Sequence, residues 1–220
     1  MTGAERFDLD AQTLTRDEER AIAERLREGA LVIYPTDTLY AIGCLALDGA
    51  AVSRLRGAKG REEDKPLSVI VADLAQARSM AATWPPEGQR LAEAFWPGPL
   101  TLVVEAAAGL PGELLAGSRG VAIRVPALDH ARLLAGLAGP LVATSANLAG
   151  EAPCRTADLA LAAFPQARLV FDIGPLEGAP STIIDLTGPP GSSRMLREGR
   201  VPRARVEEVL NEAGHQGGAV

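Results

Sequence analysis

Aromatic residues are scarce in this chain: Phe, Trp and Tyr make up 4% of its 220 residues. A stacking platform for single-stranded nucleic acid is therefore poorly supplied. Histidine is limited to His130 and His215, so a histidine-based triad would rest on His130 alone. Cys44 and Cys154 lie far apart, outside any C-x-x-C spacing, which argues against structural zinc and gives no warrant for a disulfide. No H-E-x-x-H run or Cys/His cluster exists, so no transition-metal site is proposed. The phosphate-cradling G-x-x-x-x-G-K-[ST] and the dinucleotide-binding G-x-G-x-x-G are both missing. No apolar run approaches the ~18–20 residues that cross a bilayer. No apolar segment stands behind the first residues as a secretory leader requires. A cytoplasmic protein is the expectation.

What remains is ordinary globular material, with 47% hydrophobic and 23% charged residues. The 22 cationic and 28 anionic side chains give a net charge of −6, which disfavours a broad nucleic-acid footprint while leaving room for a local basic cleft. The length suits one domain, expected over 1–213, with a Gly-rich disordered tail over 214–220.

Local patterns alternate strand with helix. Thr15-Arg16-Asp17-Glu18 has the form of a capping box, and the helix it starts stops at Gly29. A strand is expected over 31–34, ended by Pro35. Asp48 caps a helix that breaks at Gly57, and Asp73 caps another after a strand over 67–71. A helix to Phe95 precedes strands over 100–104 and 121–125. A helix over 128–137, a strand over 141–144, a helix over 157–164 and a strand over 168–172 follow. Strands over 181–186 and 194–197 and a helix over 201–213 close the chain. The segments 109–119 and 174–180 read as loops. The class is α/β with a mixed sheet.

Two segments carry the chemistry. Lys59-Gly60-Arg61 with Lys65 gathers cations in a turn-prone stretch, expected on the surface, where the bland alternative is a solvated loop. Thr144-Ser145-Ala146-Asn147 places hydroxyl and amide groups where an apolar run ends, and its bland alternative is a helix cap. Together they offer a polyphosphate its positive charge and its orienting donors. Without histidine or metal clusters, the chemistry falls to cations, hydroxyls and backbone N–H groups, which suits phosphoryl and nucleotidyl transfer.

Six ordered motifs then carry a resemblance. They are Pro35-Thr36-Asp37-Thr38-Leu39-Tyr40, Lys59-x-Arg61-x3-Lys65-Pro66-Leu67 and Trp96-Pro97-Gly98-Pro99-Leu100-Thr101, followed by Val121-Ala122-Ile123-Arg124-Val125-Pro126, Thr144-Ser145-Ala146-Asn147 and Ser181-Thr182-Ile183-Ile184-Asp185. Across roughly residues 15–210 the chain resembles the YrdC/TsaC family of threonylcarbamoyl-adenylate synthases, in its single-domain form. The resemblance implies a twisted mixed sheet flanked by helices, with a concave basic cavity. It also implies a reaction in which L-threonine, bicarbonate or CO2, and ATP give threonylcarbamoyl-AMP and pyrophosphate. The product would pass to a complex that modifies tRNA beside the anticodon; weak RNA contact is a further implied partner.

By the same resemblance, Lys59 and Arg61 are the catalytic pair on the ATP phosphates, joined at the nucleotide by Glu63, Ser145, Ala146, Asn147 and Arg197. Thr36, Ser68, Arg124, Thr144 and Ser181 fall on threonine-binding positions. Arg124 also stands out without the family, because a cation inside an apolar strand requires a partner. Mg2+ is expected to arrive on the ATP phosphates, with Asp37 and Glu63 as candidate protein contacts and no ligand assigned. Ala41, Gly120 and Pro180 depart from the family pattern. The alternatives are another carbamoyl-adenylate-forming carbamoyltransferase and a non-catalytic RNA-binding module.

Overall fold

The computed structural model describes residues 3–9, 13–60, 65–148 and 150–211. The expected tail over 214–220 and the end of the last expected helix lie outside them. A first strand, β1 (Glu5–Asp8), precedes Thr15. The Thr15 hydroxyl accepts from the Glu18 N–H and the Glu18 carboxylate accepts from the Thr15 N–H, so the capping box starts α1 (Arg16–Arg27) as expected. β2 (Val32–Pro35) and β3 (Tyr40–Gly43) form an antiparallel hairpin around residues 36–39.

The Asp48 carboxylate accepts from the Ala51 N–H to begin α2 (Gly49–Lys59). This helix does not break at Gly57. It runs to Gly60, whose φ of +58° supplies the left-handed cap that ends it. One internal glycine costs only ~1 kcal/mol, and the buried Val52 and Leu55 outweigh it.

β4 (Ser68–Ile70), the Asp73-capped α3 (Leu74–Ser79), α4 (Pro86–Phe95) and β5 (Leu100–Glu105) come next. The expected loop over 109–119 holds a single helical turn, α5 (Gly112–Leu115), which buries Leu114. β6 (Gly120–Arg124) and α6 (Asp129–Ala138) follow. The single strand expected over 141–144 is two, β7 (Leu141–Val142) and β8 (Thr144–Ser145). The remainder is α7 (Ala157–Ala163), β9 (Leu169–Asp172), β10 (Thr182–Asp185), β11 (Arg194–Arg197) and α8 (Arg203–Asn211).

The described strands build two mixed sheets, in the orders β1-β9-β2-β3-β8 and β11-β10-β5-β6-β4-β7. The mixed α/β class holds, but the sheet is split. At Ala143 the chain leaves one sheet and joins the other, which is why the apolar run over 141–144 is two strands. Strands β1 and β3 escape the sequence pattern, one because its residues are mostly charged, the other because it follows a turn without a break.

Period-2 alternation then decides what faces where. Val69, Leu100, Leu102, Val104, Val121, Ile123 and Ile184 point into the main core. Their neighbours point to the opposite face of the second sheet, towards β3 and β8 of the first. A smaller core lies under α1 and α6, where Ile22, Leu26, Ala131 and Leu134 meet Phe7 stacked on Phe171 at 4.9 Å. Among the described residues, no helix is long and apolar enough to cross a membrane.

Candidate active site

The turn after Pro35 is built by one hydroxyl. Thr36 Oγ1 accepts the Thr38 and Leu39 N–H groups and donates its single proton to the Leu39 carbonyl at 2.8 Å. The Thr36 and Thr38 hydroxyls lie 2.8 Å apart, within hydrogen-bond distance. Thr38 Oγ1 accepts from Arg124 Nη1 at 3.0 Å. A hydrogen-bonded chain thus runs from Arg124 through Thr38 and Thr36 to the Leu39 carbonyl.

Arg124 is buried, as its place in an apolar strand implied. Nε donates to the Gly98 carbonyl at 2.8 Å and Nη2 to Asp37 Oδ1 at 2.5 Å. Burial pulls its pKa down while the Asp37 carboxylate works against that fall. Asp37 is therefore the partner that the buried cation required. One of the two carboxylates offered for Mg2+ is committed to this ion pair, and the other, Glu63, lies outside the described residues. Groups of three or more His, Cys, Asp or Glu with metal-holding geometry are lacking among the described residues. Among the described residues, the donors around the site do not make a resident metal site.

A second cluster gathers at the start of β10. Arg197 donates to the Ser181 carbonyl from Nε at 3.0 Å and to Ser181 Oγ from Nη2 at 3.2 Å. Ser181 Oγ lies 2.9 Å from Thr101 Oγ1. Burial and the charge of Arg124 both lower the Arg197 pKa.

Lys59 corrects an expectation. It is buried rather than on the surface, because α2 carries it one turn further than the Gly57 break would have allowed. Its Nζ donates to the Ser145 carbonyl at 2.5 Å and lies 5.9 Å from the centre of the Phe164 ring. The lysine and the Ser145 segment, separate in sequence, are one site. Asn147 Nδ2 donates to the Leu148 and Glu151 carbonyls, both at 2.8 Å, and holds the loop beyond β8. Arg61, the other half of the expected pair, lies outside the described residues, as does Glu63.

These clusters border a cavity of about 920 Å³ between the two sheets. Its floor is the outward face of the second sheet: Ser68 and Ile70, Thr101 and Val103, Ala122 and Arg124, Ile183 and Asp185. The rest of the wall brings in Thr36, Thr144, Ser145, Ser181 and Arg197, so every expected threonine position borders this one space. Lys59, Ala146 and Asn147 stand behind the wall and reach it through Ser145. Sequence reasoning missed Arg119, Arg155 and Arg194, which also line it. Alternation with Leu196 and Asp185 was the available signal for Arg194; the other two lie in irregular segments that carry no period. Among the described lining residues Asp185 is the only carboxylate against five arginines, and it is paired with Arg194 at 3.2 Å. The arrangement suits an anion with a polar, hydroxyl-bearing neighbour.

Behind the cavity, Tyr40 donates to Asp172 Oδ1 at 2.8 Å and accepts from the Ile173 N–H. Asp172 also accepts from the Gly174 N–H at 2.9 Å and from Arg6, which reaches Asp158 at 2.6 Å as well. Burial works to raise the Asp172 carboxyl, but the Arg6, Tyr40 and Gly174 hydrogen bonds prevail and hold it below the usual carboxylate range. Both cysteines are free, and burial pushes the Cys44 thiol up to about 12.

Comparison with known proteins points one way. The Sua5/YciO/YrdC family model, described as telomere recombination, matches residues 24–199. A threonylcarbamoyl-AMP synthase of Pyrococcus abyssi (strain GE5 / Orsay) is 39% identical over 196 residues, covering 88% of this chain and 57% of that protein. A Mycobacterium tuberculosis (strain ATCC 25618 / H37Rv) protein that carries the same name provisionally is 39% identical over 187 residues, 84% of this chain and 85% of its own length. This chain thus spans little more than half of the archaeal relative and most of the mycobacterial one. Among solved structures, P. abyssi Sua5 complexed with L-threonine matches with a TM-score of 0.87 and 35% identity, over 96% of this chain and 62% of that one. E. coli YciO, at 24% identity over 90% of this chain and 96% of its own, shares the fold with a TM-score of 0.79. The family match runs through every strand that floors the cavity, and this chain belongs to the Sua5/YciO/YrdC family.

Proposed function

We propose that this protein is an L-threonylcarbamoyladenylate synthase, converting L-threonine, bicarbonate or CO2, and ATP into threonylcarbamoyl-AMP and pyrophosphate in the cytoplasm. The observation that carries this reading is one cavity of about 920 Å³ bordered by both a hydroxyl-rich set (Ser68, Thr144, Ser181) and a cationic set (Arg124, Arg197 and their neighbours). The relatives named threonylcarbamoyl-AMP synthase and the solved relative with L-threonine support it.

The reaction needs positioning and charge more than a covalent nucleophile. The threonine nitrogen attacks the CO2 carbon and loses a proton, giving a carbamate. A carbamate oxygen then attacks the α-phosphorus in line, the P–O bond to the β-phosphate breaks, and pyrophosphate leaves with that electron pair. Lys59, Arg61 and Arg197 stabilise the growing charge on the leaving group, where a desolvated cation is worth more than in water. Arg124 and the hydroxyls of Ser68, Thr144 and Ser181 hold threonine. Thr36 acts through the turn that it shapes, since its proton is spent on the Leu39 carbonyl. Mg2+ comes with the triphosphate and offsets its charge. The product passes to a complex that transfers threonylcarbamoyl to tRNA.

The test is pyrophosphate release by the purified protein. Release is expected only when ATP, bicarbonate and L-threonine are all present. ATP turnover that ignores threonine, or that responds to carbamoyl phosphate instead, would overturn the proposal.

A further inference from the structure

Thr182 is fully buried, and its side chain faces away from the cavity. It belongs to the Ser181-Thr182-Ile183-Ile184-Asp185 motif, yet no step above uses it. Its hydroxyl is nonetheless among the most committed polar groups in the molecule. Oγ1 donates to the Val201 carbonyl at 2.6 Å and accepts from the Gly199 N–H at 2.9 Å and the Val201 N–H at 3.1 Å. One proton and two lone pairs are all engaged.

The backbone ladder explains why a side chain is needed here. β11 pairs with β10 through Asp185–Arg194 and Ile184–Met195, then slips by one residue before Ile183–Arg197. Beyond Arg197 the strand ends, and the turn over 198–200 is pressed onto β10. A Cβ on Gly199 would lie 2.2 Å from the Pro180 carbonyl oxygen, so only glycine permits this approach. The Arg200 N–H donates to the same Pro180 carbonyl at 3.1 Å. Thr182 thus does with one hydroxyl what the ladder no longer does.

The segment held this way carries a cation on each side of Gly199. Arg197 lies on Ser181, and Arg200 Nη1 donates to the Asp37 carbonyl at 2.7 Å, beside the Asp37–Arg124 pair. We propose that Thr182 is a positioning residue: its hydroxyl sets the 197–201 segment over the cavity and thereby places Arg197 for the nucleotide. This rests on the reading of the cavity as an ATP site.

The test compares wild type with Thr182→Val, which keeps the shape and removes the hydroxyl, and with Thr182→Ser, which keeps the hydroxyl. The readouts are amide hydrogen exchange over 197–201, titration with a non-hydrolysable ATP analogue, titration with L-threonine, and a thermal melt. Thr182→Val is expected to speed exchange in that segment by about tenfold or more, since two N–H groups and one carbonyl lose their partner. The analogue should bind about tenfold more weakly, threonine should be affected less, and Thr182→Ser should restore both readouts to within about threefold of wild type. If Thr182→Val exchanges and binds the analogue like wild type, the proposal is overturned. It is overturned equally if exchange quickens with analogue affinity unchanged, if both ligands weaken in parallel with a general loss of melting temperature, or if wild type does not bind the analogue. Wild type that binds the analogue but releases no pyrophosphate would refute the synthase reading and leave this comparison intact.

Discussion

Arg124, buried, and Asp37, partly buried, form an ion pair, Nη2 to Oδ1 at 2.5 Å, at the wall of the cavity. A cation that holds an internal anion and a ligand anion together makes two contributions that a single substitution confounds. Arg124→Ala should lower stability by about 3–5 kcal/mol, because it strands Asp37, and it should weaken threonine binding at the same time. Arg124→Met combined with Asp37→Asn removes both charges and is expected to recover most of the melting temperature while threonine binding stays lost. Recovery of threonine binding in the double variant, read by titration, would exclude Arg124 from the substrate.

Lys59 separates packing from charge in a similar way. Lys59→Ala should cost turnover by about one to two orders of magnitude and also destabilise the fold, since the Ser145 carbonyl keeps only the Asn147 N–H of its two donors and a buried side chain is removed. Lys59→Met keeps an unbranched aliphatic side chain in the buried position and loses only the ammonium, with its contact to the Phe164 ring. It should melt closer to wild type and be as slow as the alanine variant. Full pyrophosphate release by Lys59→Met would end the phosphate assignment.

Asp172 sets a pH dependence whose sign follows from its depressed pKa. Its contribution to stability is fully present above the unfolded value of about 3.9. It is lost as pH falls through the lower folded value. Thermal melts between pH 7 and pH 2.5 should show wild type losing stability below pH 4. Asp172→Asn should start lower at neutral pH and fall less steeply in acid. Parallel curves for the two proteins would mean that the carboxylate carries no such linkage.

Arg56 offers a fourth test. Its guanidinium donates to the Glu113 carbonyl at 2.6 Å and to the Lys65 carbonyl at 2.8 Å, while its own carbonyl accepts the N–H of Gly60. Both flanks of the 61–64 span are therefore anchored on one residue. Arg56→Met should destabilise by about 1–3 kcal/mol for each carbonyl left without a donor and raise the KM for ATP more than that for threonine. Equal changes in the two KM values would reduce Arg56 to a purely structural residue.

How much of this was legible in the sequence depended on range. Thr15 with Glu18, Asp48 and Asp73 act within three residues of themselves, and each caps the helix it was expected to cap. Arg124 stood out as a cation inside the apolar strand Val121-Ala122-Ile123-Arg124-Val125, which announced a partner without naming it. That partner is 87 positions away in Asp37, which local patterns could not choose over any other carboxylate. Lys59 was misplaced because the stop at Gly57 was read from propensity, and burial of Val52 and Leu55 overrode it. Arg119 and Arg155 enter the cavity from irregular segments, where no period constrains direction. The division into two sheets turns on Ala143, and nothing in an apolar run says at which residue it changes neighbours.

The parallel pairing of β1 with β9 has a kinetic consequence. Arg6 meets Asp172 across 166 positions of sequence, and β9 lies between β1 and β2 in its sheet. Strand β1 therefore has no neighbour to pair with until β9 has been made, and it stays an unpaired edge until then. Topology of this kind slows folding through loop closure rather than through weak contacts. An early stop that spares every residue bordering the cavity up to Ser145 would still leave Tyr40 without its carboxylate and β1 without a neighbour.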